Sequence, residues 1–272
     1  QPATATVELT TSKLPLLEVE GMVKHFGPVQ ALAGASLVVQ AGQVACLLGD
    51  NGAGKSTLIK IISGVERPDA GVLRLSGLEV ELSSPRDALD RGIATVFQDL
   101  AVVPIMPVVR NFFLGREPTR WWGPFKRIDM KTAKEVALRE LHEIGIELAD
   151  PRRPMGTLSG GERQCVAIAR AVHFGATILI LDEPTSALGV REAEIVLRFI
   201  DVTRNRGVGV VFVTHNAHHA FAVGDTFTIL QRGQSAGTFR KEQVSFDELL
   251  TYMAGGEELW RLAGGFTMTR PG

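Results

Sequence analysis

One run, Gly49-Asp50-Asn51-Gly52-Ala53-Gly54-Lys55-Ser56, constrains this chain more than any other stretch. It fits the phosphate-binding pattern G-x-x-x-x-G-K-[ST]. Ahead of it, the apolar run from Val44 to Leu48 reads as a buried strand. Behind it, after Thr57, the residues Leu58, Ile61, Ile62 and Val65 recur at helical spacing. Strand, Gly-rich loop and helix are the context the motif requires. The glycines let the backbone curl until successive N–H groups face an anion, with the N-terminal end of a helix dipole behind them. Lys55 then reaches the terminal phosphates and the Ser56 hydroxyl ligates Mg²⁺. The stretch predicts an α/β core that binds a nucleoside triphosphate.

A chain of 272 residues holds one large domain, or one domain with an inserted lobe. A formal net charge of −1 offers no basic footprint, so no nucleic-acid partner is expected. Cys46 and Cys165 make no disulfide framework and read as small core residues. No apolar run approaches the ~18 residues of a membrane span, and the first residues lack a signal-peptide core. The expectation is a soluble protein that can still be peripheral to a membrane by holding an integral partner.

The polar, Thr- and Ala-rich residues 1–13 read as a disordered lead. Over 14–98, short β-type segments between Gly-containing turns predict an antiparallel subdomain beside the nucleotide-binding core. Ser84 and Pro85 begin a short helix there, as N-cap and first helical residue. Residues 99–165 change character. Pro104, Pro107, Pro118 and Pro124 break the segment, Ala133, Ala137, Leu141 and Ile144 share one helical face, and no long strand-like run appears. This reads as a mostly helical lobe inserted into the core, which resumes over 166–240. Residues 178–181 and 210–213 are continuous apolar runs of the kind buried parallel strands show. Arg232-Gly233 suits a tight hairpin turn. Residues 241–272 close with a helix near 246–253 and a flexible Gly-rich tail.

The run 178–183 ends in two adjacent acids, Asp182 and Glu183. On a parallel sheet, ligands sit beyond the strands' carboxyl ends, so the pair is expected to face the Gly-rich loop. Asp182 can hold the Mg²⁺ shell and Glu183 can polarise an attacking water. Leu158-Ser159-Gly160-Gly161-Glu162 is locally a capping box, with Ser159 capping a helix and Glu162 reaching back. Two glycines in a first helical turn cost about 1 kcal/mol each relative to Ala. They make sense if bare N–H groups approach another phosphate, which points to a composite site between two copies.

With these three motifs in this order, the chain resembles the nucleotide-binding subunit of an ABC transporter over residues 16–238. The resemblance implies the ABC ATPase fold: a P-loop core, an antiparallel β subdomain and a helical subdomain carrying the signature. It implies ATP and Mg²⁺ as bound groups, and a head-to-tail homodimer in the ATP-bound state. In that dimer, residues 49–57 of one subunit and Ser159, Gly160 and Gly161 of the other enclose each ATP. Phe26 matches the aromatic that stacks on adenine. Gln98 matches the glutamine that contacts Mg²⁺ and the attacking water, and His215 matches the switch histidine at the γ-phosphate. One departure stands out. After Ser186-Ala187-Leu188 the family usually has Asp, and here it is Gly189, which removes a charged contact between subunits.

The partners implied are integral membrane permease subunits and, indirectly, a solute-binding protein. The location implied is peripheral, on the cytoplasmic face of the membrane. The stretches PTSALGV, THNAHHAFAVGDTFTILQRG and FFLGREP are similar to ATPase subunits of ribose-, xylose- or fructose-type importers. Import of nucleosides or another small polar solute stays open beside that reading. So does a soluble, non-transport ABC ATPase, although the paired cassettes, coiled coils or zinc insertions of such members are missing. His215, His218 and His219 lack a Cys or acid at ligand spacing, so no further metal site is expected. Arg116, Arg120, Trp121, Trp122, Lys126 and Arg127 read as a surface loop of the lobe near the permease.

Overall fold

The computed structural model describes residues 14–122, 125–143, 146–148 and 150–254. The expected lead over 1–13, the Gly-rich tail past 254 and the helical-face residue Ile144 lie outside them. In chain order the elements are β1 (Leu17–Phe26), β2 (Val29–Val39), β3 (Val44–Leu48), α1 (Lys55–Ile62), β4 (Ala70–Leu75), β5 (Leu78–Glu79), α2 (Pro85–Asp90) and β6 (Ile93–Val96). There follow α3 (Val108–Phe112), β7 (Thr119–Trp122), β8 (Phe125–Ile128), α4 (Met130–Glu143) and α5 (Gly160–His173). The chain continues through β9 (Ile178–Asp182), α6 (Val190–Asn205), β10 (Gly209–Thr214), α7 (Ala217–Val223), β11 (Thr226–Gln231), β12 (Gln234–Arg240) and α8 (Phe246–Met253).

The strands make two large sheets. One is antiparallel, in the order β2-β1-β4-β5; the other runs β12-β11-β3-β10-β9-β6. In the second, β11, β3, β10, β9 and β6 are parallel and β12 pairs antiparallel at the edge. Successive side chains of a strand point to opposite faces, and this divides the buried strands between two cores. Val44, Cys46, Leu48, Leu179, Leu181, Val210 and Phe212 pack toward the helical side. Ala45, Leu47, Ile178, Ile180, Val211 and Val213 pack toward the antiparallel sheet and α1. Strands covered on both faces must be apolar throughout, which is why β3, β9 and β10 read as unbroken hydrophobic runs.

Local signals set the ends of several elements. The Ser84 side chain accepts the Asp87 N–H at 3.2 Å, with Pro85 in the first turn of α2. Arg232 and Gly233 both take positive φ, 47° and 78°, as the two-residue turn between β11 and β12 requires. Both cysteines are free and buried. Burial pushes the Cys165 thiol up to about 12 and that of Cys46 further, so both behave as small apolar residues.

The inserted lobe contains α3, α4 and the start of α5, as its apolar spacing predicts, and it also contains a hairpin. Trp121 pairs with Lys126 and Arg120 with Arg127, and β7 and β8 join neither large sheet. With no sheet to cover either face, no apolar alternation develops that a reader of the sequence can recognise. α5 is continuous through residues 165 and 166, so lobe and core share this helix. Buried Asn111 ties down the loop that enters the lobe. Its Oδ1 accepts the Val103 N–H at 2.7 Å, and its Nδ2 donates to the carbonyls of Val103 and Met106 at 3.0 Å each. Among the described residues, no helix is long and apolar enough to cross a membrane.

Candidate nucleotide-binding site

Four neighbouring strands of the parallel sheet deliver the candidate residues to one edge. The Gly-rich loop leaves the carboxyl end of β3, Thr214 and His215 end β10, Asp182 and Glu183 end β9, and Gln98 follows β6. The order β3-β10-β9-β6 makes these ends adjacent. Register agrees: Val96 pairs with Leu181 and Val213 with Asp182. Gln98 and Glu183 therefore each lie two residues past the Val96–Leu181 pair. This edge is where ligands of open α/β sheets bind.

Packing shapes the loop as much as conformational freedom does. At Gly54, φ is 103°, and a Cβ would lie 2.7 Å from the Ala31 carbonyl oxygen. The turn between β11 and β12 clamps the loop from the same side, since the Gly233 N–H donates to the Ala53 carbonyl at 2.9 Å. Within the loop, the Ala53 N–H donates to the Asp50 carbonyl at 3.1 Å. Lys55 is buried, and its ammonium donates to the carbonyls of Gly49 and, at 3.0 Å, Asp50. Burial lowers its pKa, while the charges of Glu183, Asp50 and Asp182 pull it back up. The lysine thus feels both acids of β9 across the site. Asn51, Gly52, Ser56 and Thr57 complete the turn into α1, and Asn51, Gly52 and Ser56 are exposed.

The two acids differ in environment. Burial raises the Asp182 pKa, the Glu183 charge adds to the effect, and Lys55 opposes it. A divalent cation is the counter-charge such a carboxylate lacks. The donors here, the Asp182 carboxylate, the Ser56 hydroxyl and the Gln98 amide, are the oxygen type Mg²⁺ takes, with phosphates filling out the shell. Among the described residues no three His, Cys, Asp or Glu gather as an all-protein metal cage.

Glu183 is held from three sides. Its φ is 48°, a left-handed conformation that costs a non-Gly residue about 1–3 kcal/mol. Its N–H donates to the Val213 carbonyl at 2.9 Å. The Thr214 hydroxyl donates to Oε2 at 3.2 Å, and His215 Nδ1 lies 2.8 Å from Oε1. The Glu183 side chain is 13% exposed and that of His215 is 58% exposed. The histidine can therefore leave the carboxylate with little repacking. Sequence reasoning missed Thr214, which also accepts the Asn216 N–H at 3.0 Å. Its position one residue before His215 was the available signal.

Gln98 is exposed and its side chain makes no hydrogen bond to the described residues, so the structure places it at the edge without tying it to the acids. Phe26 ends β1 and is 44% exposed, which excludes a core role. The Lys24 ammonium lies 5.4 Å from the Phe26 ring centroid. Asp69 braces this end of the hairpin, accepting the His25 N–H at 2.6 Å and lying within 3.4 Å of Lys24. Among the overlooked side chains, Asp69 gave no motif, because it acts across more than forty residues.

The signature turn does not join the loop of its own chain. Ser159 Oγ accepts the Glu162 N–H at 3.2 Å and Glu162 Oε2 accepts the Ser159 N–H at 2.7 Å, the reciprocal cap expected. Gly160 and Gly161 have a second cause that the sequence did not show. A Cβ on Gly160 would lie 2.6 Å from Leu188 Cδ2, and one on Gly161 2.9 Å from the Glu192 carbonyl oxygen. The glycines let α5 start against α6. The Gly160 N–H is also occupied, by Glu192 Oε1 at 3.1 Å.

Residues 32–186 match a family model described as ABC transporter. The chain is 43% identical over 238 residues to a xylose/arabinose import ATP-binding protein of Sulfolobus acidocaldarius, covering 88% of this chain and 93% of that one. It is 39% identical over 248 residues to a fructose import ATP-binding protein of Rhizobium meliloti, covering 90% and 95%. A crystal structure of a nucleotide-free ATP-binding cassette from an ABC transporter superposes with a TM-score of 0.77 at 24% identity. That match covers 90% of this chain and 98% of the other.

Proposed function

Because this chain belongs to the ABC transporter family, we propose that it hydrolyses ATP to drive an integral membrane permease that imports a monosaccharide. The observation that carries the chemistry is the Glu183 carboxylate, fixed at the end of β9 beside the Lys55 loop by Thr214 and His215. Residues 49–57 hold the triphosphate through backbone N–H groups and Lys55, and Phe26 covers the adenine. Ser56, Gln98 and Asp182 hold Mg²⁺, which when bound neutralises phosphate charge. Glu183 accepts a proton from the attacking water as the bond to the γ-phosphorus forms and ADP leaves. His215 exchanges Glu183 for the γ-phosphate as a hydrogen-bond partner. Ser159, Gly160, Gly161 and Glu162 of a second copy close the site, and phosphate release reopens it.

The monosaccharide reading rests on the sugar importers among the relatives, xylose/arabinose and fructose. With no membrane-crossing helix among the described residues, the chain acts at the cytoplasmic face through separate permease subunits that a solute-binding protein loads. The surface formed by Phe97, Asp99, Leu114, Arg116, Arg170 and Phe174, between β6 and the lobe, supports this docking.

The test is Glu183→Gln. ATP binding is expected to stay intact while turnover falls at least about 100-fold, the lower end of a general base's contribution. Lys55→Ala, measured alongside, weakens binding itself. Undiminished hydrolysis by Glu183→Gln overturns the assignment. Stimulation of the ATPase by permease and sugar-loaded binding protein tests the substrate class.

A further inference from the structure

We propose that Glu192 is a positioning residue that sets how much ATP is needed to close the dimer, an inference resting on the composite-site reading above. Glu192 lies in the first turn of α6, and its carboxylate spans two helix starts. Oε1 accepts the Gly160 N–H at 3.1 Å and Oε2 accepts the Gly189 N–H at 3.3 Å. Gly189 has no side chain with which to cap α6, so Glu192 does this from within the helix and ties α6 to the signature turn.

This arrangement decides what an arriving phosphate meets. In the first turn of α5, the Glu162 N–H is satisfied by Ser159 Oγ and the Gly160 N–H by Glu192. The Gly161 N–H has no partner among the described hydrogen bonds, but Gly161 is buried against Glu192, so a phosphate reaches it only as that contact gives way. The helix start that favours an anion already carries two carboxylates, those of Glu162 and Glu192. A γ-phosphate from the second copy approaches the Glu192 charge and must overcome its repulsion or displace it. Displacement frees the Gly189 N–H too. Gly189 lies six residues past Glu183 on the segment leaving β9. Glu192 therefore links phosphate arrival at one signature turn to the acidic strand end of the same subunit. Glu162 cannot do this, because its carboxylate folds back on Ser159 in its own turn.

Glu192→Gln removes the charge at unchanged side-chain length; its amide oxygen still accepts one of the two N–H groups, while its amide nitrogen cannot accept the other. The full chain carrying Glu183→Gln, with and without Glu192→Gln, is titrated with Mg-ATP and its monomer–dimer distribution read by sedimentation velocity. The double variant is expected to dimerise at about two- to fivefold lower ATP, the size of a charge effect at a helix start. Binding of a fluorescent ATP analogue to the monomer, which depends on the Lys55 loop, stays unchanged. A purely structural cap would lower the thermal midpoint without lowering the ATP requirement. An unchanged or raised requirement therefore overturns the inference. Failure of the Glu183→Gln parent to dimerise at any ATP concentration overturns the composite site itself, and the inference with it.

Discussion

Asp182 and Glu183 are consecutive residues made to behave differently by where β9 ends. Glu183 turns back under Thr214 and His215, while Asp182 stays in the strand, half-buried near Lys55 and raised in pKa chiefly by desolvation. A carboxyl whose native pKa is raised contributes stability that is fully present below the ordinary carboxylate range. That stability is lost as pH rises through the native value. At neutral pH the ionised Asp182 therefore costs the nucleotide-free fold. Asp182→Asn, measured without nucleotide or Mg²⁺, is expected to raise the thermal midpoint near pH 7. The gain should shrink as pH falls and the native carboxyl takes up its proton. A midpoint lowered at pH 7 would show that Asp182 is held by favourable contacts instead. The same substitution removes the carboxylate proposed to hold Mg²⁺, so on that proposal stability and turnover should move in opposite directions.

Among the elements, α5 joins the lobe to the core and begins against α6 with almost no room. Gly161→Ala gains about 1 kcal/mol in helix propensity, but its Cβ would lie 2.9 Å from the Glu192 carbonyl oxygen and 3.2 Å from Glu192 Cα. Backbone atoms yield poorly, and overpacking of this kind costs about 1–3 kcal/mol. A lowered thermal midpoint is expected, and an unchanged one would mean that α6 moves away freely. This contact also marks the limit of what the sequence disclosed. The phosphate loop, the acids after β9 and the Ser159 cap were legible because each is a local pattern in which partners lie within a few residues. The buried parallel strands were legible because both faces are covered. The bond of Glu192 to Gly160 and that of Asp69 to His25 were not, because those partners come from other elements, and the local contacts of Asn111 were not, because they fall in an irregular loop that matches no motif. The hairpin of β7 and β8 was hidden for another reason: outside both large sheets, its four-residue strands carry no alternation of apolar and polar positions. Even the signature glycines were only half read, since close packing explains them as well as phosphate binding does.

At the scale of the whole molecule, the site is divided between two places that do not meet within one chain. The loop, the acids, His215 and Gln98 share one edge of the parallel sheet. The signature turn has its cross-links to Glu192, and no described hydrogen bond joins it to residues 49–57. On the proposed function, a single chain would supply the chemistry but not the wall that excludes water, and two chains would supply both. Hydrolysis would then be an event of association, with ATP joining the subunits and its loss parting them, a motion a permease can use. The most direct measurement is the specific ATPase activity of the purified chain as a function of its own concentration, at saturating Mg-ATP. Activity per subunit should fall steeply on dilution into the monomeric range and return on concentration, with Glu183→Gln flat near zero throughout. Activity per subunit that stays constant as the chain is diluted to monomer would contradict the account, because it would place a complete site within one subunit.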